Sequence, residues 1–95
     1  ERLKNKEIIT DMAKNDTDPL VRRKASEQVF DQQTLAWLAE NDPDPMVRRA
    51  VINRIEDADI LHKIEKKEKD NATLFEIRKR IEYLQELGNE AKKVK

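Results

Sequence analysis

The chain has 95 residues, of which 37% are hydrophobic and 42% charged, and its 20 Lys and Arg offset 20 Asp and Glu to a formal net charge of zero. This length fits one domain, and the neutral balance gives no support to a general affinity for nucleic acid or membrane surfaces. The sequence has no cysteine, which excludes disulfides and thiolate metal sites and fits a reducing cytoplasm; it also has no apolar run long enough to cross a bilayer and no signal-peptide pattern at its start.

The charged fraction is well above the roughly one quarter usual for globular chains. Disorder is one reading of such a composition. A thin, elongated helical protein is the other, and the periodic apolar residues favour it. Gly occurs once and Pro three times, while Ala, Leu, Glu, Lys, Arg and Gln dominate. Those six are good helix formers, and hairpin turns of the Asn-Gly type are absent.

Taken from the start, Glu1, Arg2 and Leu3 align with Glu27, Gln28 and Val29 at an offset of 26 residues. The chain therefore reads as opening inside a preceding unit and as part of a larger repeat protein. The repeat is plainest where residues 13–23 read AKNDTDPLVRR and residues 39–49 read AENDPDPMVRR. The same offset brings Asn5, Asp31 and Asp57 into register, with Ile9, Leu35 and Leu61, and with Met12, Leu38 and Ile64. Internal repetition of this kind marks a stacked architecture, in which isolated units cannot cover their own apolar faces.

Each unit predicts two helices. The first opens at Asn5, Asp31 or Asp57, residue types whose side-chain oxygen accepts an unpaired backbone N–H at a helix start. Its apolar stripe is Ile8, Ile9, Met12 and Ala13, then Leu35, Leu38 and Ala39, then Ile60, Leu61 and Ile64, all at helical spacings that share one face. A turn follows, NDTDP or NDPDP, in which Asp18 and Asp44 are predicted N-caps. Pro19 and Pro45 stand at the first helical position, where a missing N–H costs nothing, and Pro43 holds Asp42 out of the helical region. The second helix carries Val21, Ala25 and Val29, or Val47, Val51 and Ile55.

The third unit departs from this pattern. Its turn lacks proline, and IRKR, which looks like VRR, stands four residues beyond the 26-residue offset. This predicts an earlier start and a longer last helix, capped by Asn71 or Thr73, with Leu74, Ile77, Ile81 and Leu84 inward. Those spacings also suit a coiled-coil seam. Gly88 is the predicted stop, and residues 88–95 form a polar, fraying tail. The resulting organisation is one repeat domain over residues 1–87, with units at 5–30, 31–56 and 57–87 and residues 1–4 closing a preceding unit.

The string D-x-D-P-x-V-R-R at the head of a second helix resembles HEAT-like repeats, and the short period resembles the bacterial leucine-rich-repeat variant. The resemblance covers residues 5–56 well and residues 57–87 loosely. It implies an all-α fold: a right-handed α-solenoid of stacked antiparallel helical hairpins. It also implies a structural ladder of Asp18 and Asp44 with Arg22 and Arg48, which the third unit breaks or shifts to Arg78. Such arrays serve scaffolds, regulators and some enzymes, so the fold does not fix the function.

Candidate contact residues are few. Arg23 and Arg49, with Lys24, Arg78, Lys79 and Arg80, would make a basic strip for a phosphate backbone or an acidic peptide, or simply a solvated helical face, which the neutral charge favours. Trp37 stands where the sister units carry Asp11 and Lys63, so it either packs locally beside Thr34 or contacts a partner. Phe30 precedes the cap Asp31 with Leu35 four residues into the helix, the arrangement of a hydrophobic staple. His62 has no second His or Cys to share a metal. The Asp16/Asp18 and Asp42/Asp44 pairs are explained by capping, and lack the glycine and glutamate of a calcium loop. No residue constellation points to catalysis, a cofactor or a metal. The expected role is a non-enzymatic, cytoplasmic protein-interaction or scaffolding module of a bacterial repeat protein. Its expected partner is another protein and not a membrane; nucleic-acid binding through the repeated arginines is the alternative.

Overall fold

Acidic turns and prolines divide the chain into helices. The computed structural model describes residues 5–93, with side chains through Asn89. It contains α1 (Asn5–Asn15), α2 (Pro19–Ser26), α3 (Gln32–Asn41), α4 (Pro45–Ile52), α5 (Ala58–Lys67) and α6 (Asn71–Lys93), and no strand among the described residues. The protein is all-α. The alignment of residues 1–4 with a preceding unit lies outside the described residues.

The helix starts follow the local chemistry of the sequence. Asp18, Asp31, Asp44 and Asp57 each hold extended backbone directly ahead of a helix, and each side chain accepts a backbone N–H from the first turn. Pro19 and Pro45 open α2 and α4. Asn5, expected as a cap, is the first described residue and already belongs to α1.

The start of α6 corrects the expectation for the third unit. Neither Asn71 nor Thr73 is the cap. Asp70 is: its Oδ2 accepts from the backbone N–H of Thr73 at 2.9 Å and from the Thr73 hydroxyl at 2.6 Å. Asp70 stands 26 residues after Asp44, so the register does not slip. Thr73, Ile77 and Ile81 take the places of Val47, Val51 and Ile55 and are buried like them. Leu74, not Arg78, is therefore the counterpart of Arg48. At its other end α6 runs on through Gly88 to Lys93. Gly88 has no positive φ, so it does not act as a stop, and the boundary expected at residue 87 falls inside the helix.

Consecutive helices pair as α1 with α2, α3 with α4 and α5 with α6, and the pairs meet in order, α2 on α4 on α6 and α1 on α3 on α5. One continuous apolar cluster threads all six helices, from Ala13 and Ala25 through Leu35, Leu38, Val51, Ile52 and Leu61 to Ile77 and Ile81. The molecule measures 50 × 32 × 17 Å with a radius of gyration of 14.6 Å, against about 12 Å for a compact chain of this length. A slab this thin keeps every residue near solvent, which explains how a chain so rich in charge still has a core.

Phe30 does not form the expected staple. Phe30 is 83% exposed while Leu35 is buried, and the guanidinium of Arg54 lies over its ring at 5.7 Å from the centre.

Candidate functional site

The turns that begin the second helix of each pair carry the densest polar network. In the first turn Asp16 Oδ1 accepts from the Asp18 N–H at 2.9 Å; in the second Asp42 Oδ1 accepts from Asp44 at 2.9 Å; in the third Glu68 Oε2 accepts from Asp70 at 3.0 Å. This leaves one acidic group at the head of each turn facing along the row of turns.

Arginines from the preceding pair fill two of these positions. Arg22 donates from Nε to Asp42 Oδ2 at 2.9 Å and from Nη2 to Asp42 Oδ1 at 3.2 Å, while its Nη1 donates to the Asp16 carbonyl at 2.8 Å. Arg48 repeats the arrangement with Glu68 at 2.9 and 2.8 Å and with the Asp42 carbonyl at 2.8 Å. Two parallel N–H···O bonds to one carboxylate combine strength with fixed geometry. Arg22 and Asp42 are both buried, and the Asp42 hydrogen bond raises the Arg22 pKa against the opposing effect of burial. Arg22 and Arg48 thus each span the join to the next hairpin. Asp18 and Asp44 are not their hydrogen-bonded partners: these two carboxylates cap α2 and α4 at 2.9 and 2.8 Å. The ladder does not shift to Arg78, whose Nε instead donates to Glu65 at 2.8 Å.

A second series ties the opposite ends of the helices. Arg54 donates from Nη1 to the Ser26 carbonyl at 2.6 Å and from Nη2 to the Val29 carbonyl, and Arg80 donates from Nε to the Ile55 carbonyl at 3.0 Å. Gln32 adds a bridge, donating to the Arg54 carbonyl at 2.8 Å and accepting from the Glu56 N–H at 3.0 Å. Of these carbonyls Ser26 ends α2, and Val29, Arg54 and Ile55 lie in the connections that follow α2 and α4, so the donors satisfy backbone oxygens that the helices leave unpaired.

The surface candidates separate. Trp37 is 40% exposed on α3, with the Lys14 ammonium 5.0 Å from its ring centre. Arg23 is exposed, and no ion pair holds it among the described residues. Arg49 is not its equivalent, because Nη1 donates to Asp70 at 2.9 Å and to the Thr73 hydroxyl at 3.3 Å. With Arg78 held by Glu65 and Arg80 by a carbonyl, half of the expected basic strip is already engaged within the chain. His62 is exposed, with Nδ1 3.6 Å from Glu65.

No protein-family model, curated protein or solved structure matches the chain.

Sequence reasoning missed Asp42, Glu68, Asp70 and Arg54. A signal for the first two was present: Asp16, Asp42 and Glu68 are acidic at the 26-residue period, and Asp42 and Glu68 each stand 20 residues beyond a repeated arginine. Other carboxylates are held by donors both near and far along the chain. Thr34 holds Asp31, and Thr73 holds Asp70, below the ordinary Asp range by donating side-chain and backbone hydrogen bonds. Lys67 holds Glu40, and Arg78 holds Glu65, below the ordinary Glu range, each chiefly by donating a side-chain hydrogen bond.

Proposed function

We propose that the chain is a non-enzymatic protein-interaction or scaffolding module, built as a right-handed α-solenoid of HEAT-like helical hairpins. Support for the solenoid comes from the two joins, Arg22 to Asp42 and Arg48 to Glu68, which use the same guanidinium nitrogens on a carboxylate at the same 20-residue spacing. A join that repeats by translation extends a stack rather than closing a globule.

The interaction role is carried by one observation. Trp37 is 40% exposed at a position that is polar in both sister units, and core packing gives no reason for an indole there. Tryptophan is enriched among the residues that dominate interface energetics. The experiment compares proteins retained from a cell extract by the immobilised chain and by its Trp37→Ala variant, alongside the thermal midpoint of each. Loss of specific retained proteins at an unchanged midpoint supports the role. Identical retention removes Trp37 from it.

The nucleic-acid alternative loses support from the geometry, since Arg49, Arg78 and Arg80 already meet oxygens of the chain itself. Titration of a labelled duplex at about 50 mM salt tests it, because phosphate-dominated binding must appear there and fall steeply as salt rises.

A further inference from the structure

The three hairpins are related closely enough to compare equivalent positions, and the first is incomplete in a specific way. Met12, Leu38 and Ile64 occupy the same place in successive units and are 38%, 0% and 2% exposed. Val21 is half-buried where Val47 and Thr73 are fully buried. The third unit has no described unit after it, yet its members of both sets are covered. The cover at these positions therefore comes from the unit before, and the first unit has none among the described residues. What remains is an open, mainly apolar groove between α1 and α2, with Ile9, Met12, Leu20, Val21 and Ala25 on its walls and Lys24 and Gln28 at the α2 side.

The polar network is incomplete at the same end. Asp16 makes the same turn as Asp42 and Glu68 and accepts the same N–H. Asp42 and Glu68 then each take an arginine fork, whereas Asp16 takes none among the described residues. Apolar exposure and an acid without its arginine thus coincide on one face.

We propose that this α1–α2 face docks a further helical hairpin that lays an apolar stripe over Met12 and Val21 and aims an arginine at Asp16. The occupant has the chemistry of this chain's own second unit. A second copy of the chain does not supply it: the end formed by α5 and α6 carries Leu74 where Arg22 and Arg48 stand in the other units. The proposal rests on the stacked-hairpin reading above and adds the identity of the contact that extends it.

The test fuses a copy of residues 31–52 ahead of Glu1 of the full chain, which sets the copied Arg48 twenty residues before Asp16. The extended chain should melt at a higher temperature than the chain itself, in one transition. Within the extended chain, Asp16→Asn and, separately, the copied Arg48→Leu should each lower the folding equilibrium constant by about a few hundredfold or more, as loss of one partner of a sequestered pair does. In the unextended chain, where Asp16 is half-buried and takes no arginine among the described residues, Asp16→Asn should change it by about fivefold or less. Asn still accepts the Asp18 N–H, so the turn survives the substitution. An unchanged midpoint on extension, or equal costs of Asp16→Asn in the two chains, overturns the proposal. Head-to-tail self-association of the unextended chain that ignores Asp16→Asn overturns it in favour of a second copy. Arg22→Leu in the unextended chain separates the two levels: if it is destabilising, the stack stands whatever happens at Asp16, and if it is neutral, the stacked reading itself fails.

Discussion

The guanidinium of Arg48 grips both carboxylate oxygens of Glu68, at 2.9 and 2.8 Å, across the join between the second and third hairpins. The two ends of this bond differ in their access to water. The Glu68 side chain is 4% exposed and that of Arg48 16%. Glu68 has nowhere to turn if its partner is lost, while Arg48 lies nearer the surface.

This asymmetry sets the order of a mutational series. Arg48→Met strands a buried carboxylate and should destabilise by about 3–5 kcal/mol. Glu68→Met leaves an arginine that reaches solvent more readily and should cost less. The double variant, which removes both charges, should recover most of the loss, because a buried pair replaced by apolar side chains is often close to neutral. Urea unfolding of the four chains measures all three, and additive single effects would contradict the geometry.

Asp42 and Asp44 stand two residues apart and do different work. Asp42 closes the buried fork with Arg22, whereas Asp44 caps α4 through the Met46 N–H at 2.8 Å. Asp44→Ala should cost about 1 kcal/mol, the ordinary worth of an N-cap. Asp42→Ala should cost about 3 kcal/mol or more, since it leaves the Arg22 guanidinium buried without its counter-charge. Equal shifts of the urea midpoint would return the ladder role to Asp44.

The difference between those two aspartates also separates what the sequence could tell from what it could not. Capping is local: an Asp directly ahead of an apolar stripe states its own role, and the starts of α2, α3, α4 and α5 were legible for that reason, those of α2 and α4 with a Pro beside the cap. The stripes Leu35–Leu38 and Val47–Val51 were legible because helical spacing puts them on one face. The fork is not local. Arg22 lies four residues from Asp18 and twenty from Asp42, and only the packing of α2 on α4 selects the distant acid. The turn ahead of α6 was misread because Pro45 has no counterpart there, and the IRKR string drew the alignment away from Asp70. Phe30 has the right spacing for a staple, but spacing does not fix which way a ring turns, and here it lies outward beneath Arg54.

Acid should weaken the fold through named carboxylates. Thr34 and Thr73 hold Asp31 and Asp70 below the ordinary value of 3.8, and Lys67 and Arg78 hold Glu40 and Glu65 below 4.5. A group with a depressed pKa in the folded state binds fewer protons there than in the unfolded chain, so stability falls as pH falls. Their contribution is complete above the unfolded values and disappears as pH drops from those values through the lower folded ones. Urea midpoints should therefore hold between pH 7 and about 5.5 and decline below about 4.5. Asp70→Asn keeps an oxygen for the Thr73 N–H but cannot titrate, and should flatten part of that decline. An unchanged acid slope in Asp70→Asn would show that Thr73 does not depress this carboxylate.

Gly88 gives a prediction whose sign alone decides between two structures. At a helix stop in the left-handed conformation, alanine is strained and the substitution destabilises. Inside a helix, alanine is better than glycine by about 0.8–1.0 kcal/mol. Gly88 lies within α6 with no positive φ, and an added Cβ meets nothing within 4 Å. Gly88→Ala should therefore raise helical content by circular dichroism and leave the thermal midpoint the same or higher. The gain in helix should be the clearer of the two, since Leu87, Gly88 and Asn89 are all exposed and this segment adds little to the core that sets the melting temperature. A loss of helical signal would instead place the end of α6 at Gly88 and detach the residues that follow it.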